Sequence, residues 1–239
     1  KDDLITVQIV ENECSDNIAP VNLPLDIAYE DDDIIVINKP FDMPAHPSAG
    51  NHDNTLANAL MYYYGSQNKP FVYRCINRLD RDTTGLTIVA KHALAGGILG
   101  NAVAKRAIHR TYYAVCSGCT PACMRISAPI ARKDASTIER CVDFKRGENA
   151  VTDFIRIKYN PDNNLSLVKL RLLTGRTHQI RVHMKYIGFP LIGDFLYNPD
   201  YTYISRQALH SGRLVFTHPV TGQKMNLISD IPSDMKSLF

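Results

Sequence analysis

The sequence predicts a single α+β domain, and three observations carry that expectation. Strand-like and helix-like stretches are both present and are mixed along the chain. No internal repeat, low-complexity stretch or clear linker divides it. The 239 residues, 45% hydrophobic and 21% charged, have an ordinary globular composition and enough length to bury a sizeable core.

The elements follow in order. The chain opens mid-pattern at Lys1, with an apolar run from Leu4 to Val10, and residues 1–22 are expected to form a peripheral arm before a domain over 23–239. Ile27-Ala28-Tyr29 and Ile34-Ile35-Val36-Ile37 read as short strands around the acidic turn Glu30-Asp31-Asp32-Asp33. Lys39-Pro40 opens a loop through Pro44, His46-Pro47 and Gly50. Thr55 is placed to cap a helix over Leu56 to Tyr64, with Leu56, Ala59, Leu60 and Tyr63 on one face. Leu86 to Ala90 is a strand. Ala93 to Lys105 reads as a helix, although Gly96, Gly97 and Gly100 weaken it. Strands follow at Tyr112 to Val115, Ala150 to Lys158 and Leu165 to Leu173. His178 to Gly188 reads as a helix ended by Gly188 and Pro190. A loop over Tyr197 to Ser205 and a late strand at Leu214-Val215-Phe216 complete the chain.

Charge is divided unevenly. The net +3 hides a −9 segment over residues 1–33, with one Lys against ten Asp or Glu, and a +12 remainder with 26 basic and 14 acidic side chains. So basic a body suits a polyanionic partner. No segment approaches the roughly 20 apolar residues of a membrane span, and nothing resembles a signal peptide. The six cysteines fit free thiols in a reduced, cytoplasmic compartment better than a disulfide framework. Cys116-x2-Cys119-x3-Cys123 resembles half of a zinc site, with His109 or Cys141 as the nearest fourth ligand. The usual second Cys pair is missing, and no metal is expected.

Two stretches hold the chemistry: Arg78-Leu79-Asp80-Arg81-Asp82-Thr83-Thr84-Gly85-Leu86 and Thr174-Gly175-Arg176-Thr177-His178-Gln179-Ile180-Arg181-Val182-His183. In the first, Asp80 sits between Arg78 and Arg81. A carboxylate near guanidinium groups stays ionised, which suits a nucleophile or electrostatic stabiliser and not a general acid. Thr83-Thr84-Gly85 can tie down a tight turn. In the second, a helix beginning near Thr177 places Thr177 with Arg181, and Gln179 with His183, on shared faces. A helix start carrying Gly, Thr and Arg also suits an anion. His178 and His183 receive no catalytic role. Tyr112, on a strand beside Lys105, Arg106 and Arg110, could stack a base.

These motifs resemble those of the RluA-type pseudouridine synthases. The resemblance runs from about Leu25 to the C-terminus. It takes in Tyr29-Glu30-Asp31, Asn38-Lys39-Pro40, Pro44-x-His46-Pro47, the Arg78–Leu86 run, Arg110-x-Tyr112-x-Ala114 and Thr174–Arg181. It closes with Gly188-x-Pro190-x-x-Gly193-Asp194 and Leu209-His210. Asn77 stands where many members have His, and Thr84 where Ser is usual, which bears on loop geometry only. The resemblance implies a mixed, mainly antiparallel sheet flanked by helices and loops, with the cleft across the sheet. It implies a cofactor-free isomerase converting uridine in RNA to pseudouridine on a flipped-out base. Asp80 maps onto the catalytic aspartate, which forms a covalent intermediate at carbon 6 of the base or carbon 1′ of the ribose. Tyr112 maps onto the tyrosine that lies against the uracil, Arg181 onto the arginine that pairs with the carboxylate, and Arg78 onto a residue holding the nucleotide. Arg81, Thr83, Arg110, Arg176, His178 and Gln179 are the further expected RNA contacts. The implied partner is RNA, ribosomal ahead of transfer RNA, with no membrane and with a monomer as the expected state. The arm is expected to be the end of an N-terminal RNA-binding domain.

Two other classes fit less well. A non-catalytic RNA-binding module would not need Asp80 among arginines. A glycosidase-like hydrolase would need a second carboxylate of raised pKa about 5–10 Å away. Asp82 and Asp194 are available, but neither lies in an apolar stretch.

Overall fold

Strands whose side chains alternate between two helical layers organise the chain. The computed structural model describes residues 11–48, 50–134 and 138–239, so the run Leu4 to Val10 lies outside them. Strand β1 (Ile27–Glu30) pairs antiparallel with β2 (Ile34–Lys39), and β2 with β4 (Thr84–Ala90). Two-residue β3 (Arg74–Cys75) adds to β4. Beyond β4 come β11 (Leu209–Thr217), β5 (His109–Ser117), β10 (Leu165–Leu172), β9 (Val151–Asn160) and β6 (Cys123–Ser127), with β12 (Lys224–Ile228) pairing β11. All neighbours in this ten-stranded sheet are antiparallel except β4 and β11. A separate hairpin joins β7 (Ile130–Arg132) to β8 (Arg140–Val142). The mixed, mainly antiparallel sheet is the expected one.

Alternation explains the layers. On β2 and β4, Ile35, Ile37 and Val89 pack with Leu56, Leu60 and Tyr64 of helix α1 (Leu56–Gly65). Ile34, Val36, Leu86 and Ile88 pack instead with Ala95 and Leu99 of α2 (Ala93–Ala104). Helix α3 (Gln179–Tyr186) sends Ile180 and Met184 against Tyr112, Ala114 and Phe154. Short α4 (Ser233–Lys236) seats Met235 against Val115. Each fully buried aliphatic side chain contributes about 1.5–3 kcal/mol.

Capping sets the helix starts. Thr55 accepts from the Asn58 backbone N–H while the Asn58 side chain accepts from Thr55 N–H, a reciprocal box at the α1 start. His92 caps α2 through Nδ1, which accepts from Ala95 N–H. That bond, with Ala95 and Leu99 in the core, offsets the glycines. Helix α3 begins at Gln179, one residue after the expected His178, because His178 adopts the left-handed conformation with φ 56°. Gly188 at φ 86° closes it, with Phe189 N–H reaching Met184 O at 2.9 Å.

Residues 11–25 carry no regular structure but are fixed to the body. Ser15 N–H bonds Phe71 O, Val21 N–H bonds Asn58 O, and Ile18, Leu23 and Leu25 pack on the α1 core.

The parallel contact of β4 with β11 needs one glycine. Gly85, at φ 106°, lies opposite Ser211, and a Cβ there would stand 2.3 Å from Ser211 O. Gly85→Ala should therefore cost at least about 2 kcal/mol, combining a forbidden φ with a backbone collision. Urea unfolding of the variant beside wild type would check this, and an unchanged midpoint would refute it.

Candidate active site

Asp80 is placed by its neighbours on both sides. Before it, Asn77 Oδ1 accepts from Ile88 N–H at 2.8 Å, Asn77 Nδ2 donates to Leu86 O, and Thr87 donates to Asn77 O. Asn77 thus locks the approach to strand β4. Leu79 inserts into the core beside Tyr112. After it, Thr83 N–H closes a turn onto Asp80 O at 3.1 Å, and Gln207 Nε2 donates to Thr83 Oγ1 at 2.6 Å. Thr84 bonds His210 Nδ1 at 2.9 Å. Burial lowers the His210 pKa to about 4, so the neutral ring accepts from Thr84 and donates to Ser229 O. The carboxylate of Asp80 is lifted from a scaffold with almost no freedom.

Arg181 meets it from α3. Its Nη1 donates to Asp80 Oδ2 at 2.9 Å, while Nε and Nη2 clamp Asp194 at 2.7 and 2.8 Å. The Arg181 side chain is 2% exposed, Asp194 0% and Asp80 29%. Burial opposes the charge on Arg181, but the two carboxylates override it and hold its pKa above the ordinary value. Its guanidinium also lies 5.0 Å from the Tyr197 ring and 5.4 Å from Phe195. The other oxygen of Asp80 takes no protein hydrogen bond among the described residues.

His178 is a wall of the site. Tyr197 Oη accepts from Arg140 N–H at 2.9 Å and bonds His178 Nδ1 at 2.9 Å. The two ring nitrogens thus face Tyr197 and Asp80, with Nε2 standing 3.8 Å from the carboxylate. Burial lowers the His178 pKa and keeps the ring neutral. His183 is buried between Thr152 Oγ1 and Ala128 O.

All the expected site residues border one cleft of about 1030 Å³ on the sheet face that carries α2 and α3. Their engagement differs. Gln179 is buried, accepting from Thr174 Oγ1 and Arg176 N–H and donating to Val151 O and Thr152, so its carboxamide is spent on the scaffold. Thr83 is likewise buried beneath Gln207. Arg81 forks onto Asp82 and lies near Phe195, and Arg176 pairs with Glu148. Arg78 and Arg110 have no carboxylate partner among the described residues, nor does Arg106 on the same wall. A cleft lined by unpaired guanidinium groups suits a polyanion.

Sequence reasoning singled out neither Lys39 nor Gln207. Lys39, 1% exposed, donates to Arg81 O at 2.8 Å and Pro40 O at 2.7 Å, holding the turn from below. Only its place in Asn38-Lys39-Pro40 marked it. Burial pushes its pKa down to about 7, against the pull of Asp82 and Asp80.

Metal ligation finds little footing here. Cys116 is buried on β5 while Cys119 and Cys123 are exposed, and all six thiols are free. Among the described residues the one cluster of three ligand-type side chains is Asp31, Asp33 and His218. His218 Nδ1 accepts from Val220 and Thr221 N–H, so Nε2 carries the proton donated to Asp31 at 2.8 Å. The His218 ring therefore keeps no lone pair for an ion. The hydrolase reading also loses its second carboxylate, since Asp194 is clamped by Arg181 and Asp82 by Arg81.

Comparison with known proteins agrees with the geometry. Residues 33–186 match the family model for RNA pseudouridylate synthase. The chain belongs to that family, isomerases that act on RNA, and within it to the RluA-type branch. It is 41% identical over 239 residues to an uncharacterized RNA pseudouridine synthase of Bacillus subtilis, covering 99% of this chain and 83% of that one. It is 41% identical over 245 residues to the ribosomal large subunit pseudouridine synthase D of Haemophilus influenzae, covering 97% and 75%. The solved structure of human RNA pseudouridylate synthase domain containing 1 superposes with a TM-score of 0.73 at 26% identity, covering 87% of this chain and 83% of that one.

Two predictions follow from burial. Arg181→Met leaves Asp194 buried without its counter-charge and should cost about 3–5 kcal/mol, much of it restored by adding Asp194→Asn. Urea unfolding of both variants tests this, and equal stability of the two would refute it. Lys39 has a folded pKa near 7, below its unfolded value. Between those values the unfolded chain holds a proton that the folded chain has lost, so stability rises with pH across that window. Below it both states are protonated and the burial penalty is fully expressed. Wild type should therefore gain on the order of 4 kcal/mol over Lys39→Met between about pH 7 and pH 10. A flat difference would show that the two carbonyls keep the ammonium charged.

Proposed function

We propose that this chain isomerises uridine in ribosomal RNA, with Asp80 as nucleophile. What carries the reading is Asp80 itself: one oxygen is held by buried Arg181 and the other is left without a protein partner at the cleft. Such a carboxylate is oriented, ionisable without rearrangement and open to attack an electrophilic carbon.

Isomerisation breaks the bond from ribose carbon 1′ to base nitrogen 1 and forms one from carbon 1′ to carbon 5. A proton leaves carbon 5 and nitrogen 1 gains one, so atoms and electrons balance without a cofactor. Asp80 bonds to carbon 6 or carbon 1′ and is released when the new bond is made. Arg181 keeps the carboxylate aligned and accommodates its change of charge. Tyr112, buried at the cleft floor, lies against the uracil, and its hydroxyl, which takes no protein hydrogen bond among the described residues, serves the carbon 5 proton. Unstacking the uridine costs a few kcal/mol. Arg78 and Arg110 offset that cost through phosphate contacts. Ribosomal RNA is favoured because several relatives near 40% identity are ribosomal large subunit pseudouridine synthases.

Incubation with ribosomal RNA transcribed without pseudouridine should yield conversion at discrete uridines. Asp80→Asn should fold normally and convert none, and Tyr112→Phe should lose roughly 10²–10⁴ in kcat. Normal turnover by Asp80→Asn would sink the assignment, and conversion confined to transfer RNA would overturn the substrate.

A further inference from the structure

Beside the cleft lies a second hollow of about 520 Å³. The β7–β8 hairpin with Arg132, Arg140 and Arg146 forms one wall, and Gly175 to Thr177 forms the other. Those three residues also line the cleft, so the two depressions share a wall. The wall is thin. A Cβ on Gly175 would stand 3.2 Å from Arg110 Nη2, so the cleft guanidinium lies against the backbone that faces the hollow.

The hairpin opposes like charges. Arg132 and Arg140 are direct cross-strand partners. Such a pair is destabilising, and a two-stranded hairpin has little stability to spare. Among the described residues neither arginine has a carboxylate within ion-pair distance, and the Arg140 guanidinium donates only to the carbonyls of Ile138 and Glu139. Arg146 is already held by Asp134 and Asp143, both at 2.8 Å. Arg176 is held by Glu148, the one acidic group lining the hollow.

We propose that this hollow receives a backbone phosphate of the RNA strand flanking the target uridine, bound by Arg132 and Arg140. The inference rests on the reading of the cleft as the uridine site, since a strand entering the cleft must pass the shared wall. Planar guanidinium groups grip phosphate oxygens in pairs, and one phosphate between them removes their mutual repulsion. The volume is within the range of about 300–1,000 Å³ typical of small-ligand sites. Glu148 competes with the phosphate for Arg176, which makes it a brake on affinity.

The test uses the double variant Arg132→Gln with Arg140→Gln, which keeps the backbone N–H that Arg140 gives Tyr197. In an Asp80→Asn background, binding to pseudouridine-free ribosomal RNA is measured across a salt series. The double variant should bind more weakly, with a log–log salt slope shallower by about one. In the active background its KM should rise about five- to tenfold with kcat unchanged. Glu148→Gln should tighten binding. An unchanged slope and KM would overturn the proposal, as would a loss confined to kcat, which would assign the pair to loop geometry. Binding by Asp80→Asn needs no turnover, so it reads the hollow even if the chain modifies no uridine. Failure of the functional reading would show separately, as absent wild-type conversion.

Discussion

One buried guanidinium ties the site together. Arg181 joins the turn bearing Asp80 to the loop bearing Asp194, and it does so from the first turn of α3. Taking three charges out of water would be costly unless each found a partner. Here Asp194 occupies two donors of the guanidinium and Asp80 a third, and the rings of Phe195 and Tyr197 lie nearby. The result is an asymmetric bridge. Asp194 is wholly buried and can do nothing but anchor, whereas Asp80 keeps an exposed edge. Orientation of the Asp80 carboxylate is thus set by a group that itself cannot move.

The sheet supplies the rigidity that the bridge requires. Asp80 precedes β4, Tyr112 lies on β5, and β11 runs between these two strands. Gly85 lets β4 and β11 approach as parallel neighbours, and Thr84 and Thr83 are then bonded by His210 and Gln207. Lys39 holds Arg81 O from the end of β2. Nearly every polar group next to Asp80 therefore bonds scaffold, and few are left to water. A loop so completely tied down holds its carboxylate in place before any ligand arrives, and such preorganisation is where much of a catalyst's advantage lies.

Legibility in the sequence followed burial. The strands at Ile34–Ile37 and Leu86–Ala90 and the helix after Thr55 were readable because unbroken apolar runs or helical spacing announced them. Strands β6, β7, β8 and β12 escaped, being short, half-exposed and mixed in character, as in Cys123–Ser127 with one buried residue of five. The strand around Leu214 begins five residues earlier than its apolar core suggested. Leu209 to Arg213 holds His210, Ser211 and Gly212, whose polarity disguises a segment buried between two strands. At the site, Asp80 with Arg181 was legible through family motifs and basic flanks. That Gln179 and Thr83 serve the scaffold was not, since a polar residue type does not disclose whether its partner is protein or ligand.

Charge pairing, more than net charge, describes the electrostatics. The acidic segment that dominates the N-terminal count is largely consumed internally: Glu30 by Lys91, Tyr63 and Tyr64, Asp31 by Tyr29 and His218, and Asp33 by His92. These bonds close the back of β1, β2 and α2. On the cleft side the pattern reverses, with Arg78, Arg106 and Arg110 lacking carboxylate partners among the described residues. A net +3 spread evenly would steer little. The same total, with its negative charges bonded away on one side and its positive ones unpaired on the other, creates a directed field. Such a field acts over roughly a Debye length of 8–10 Å at physiological salt. A polyanion is therefore attracted to the face that holds Asp80, and salt should weaken that attraction well before it disturbs the buried bridge of Arg181.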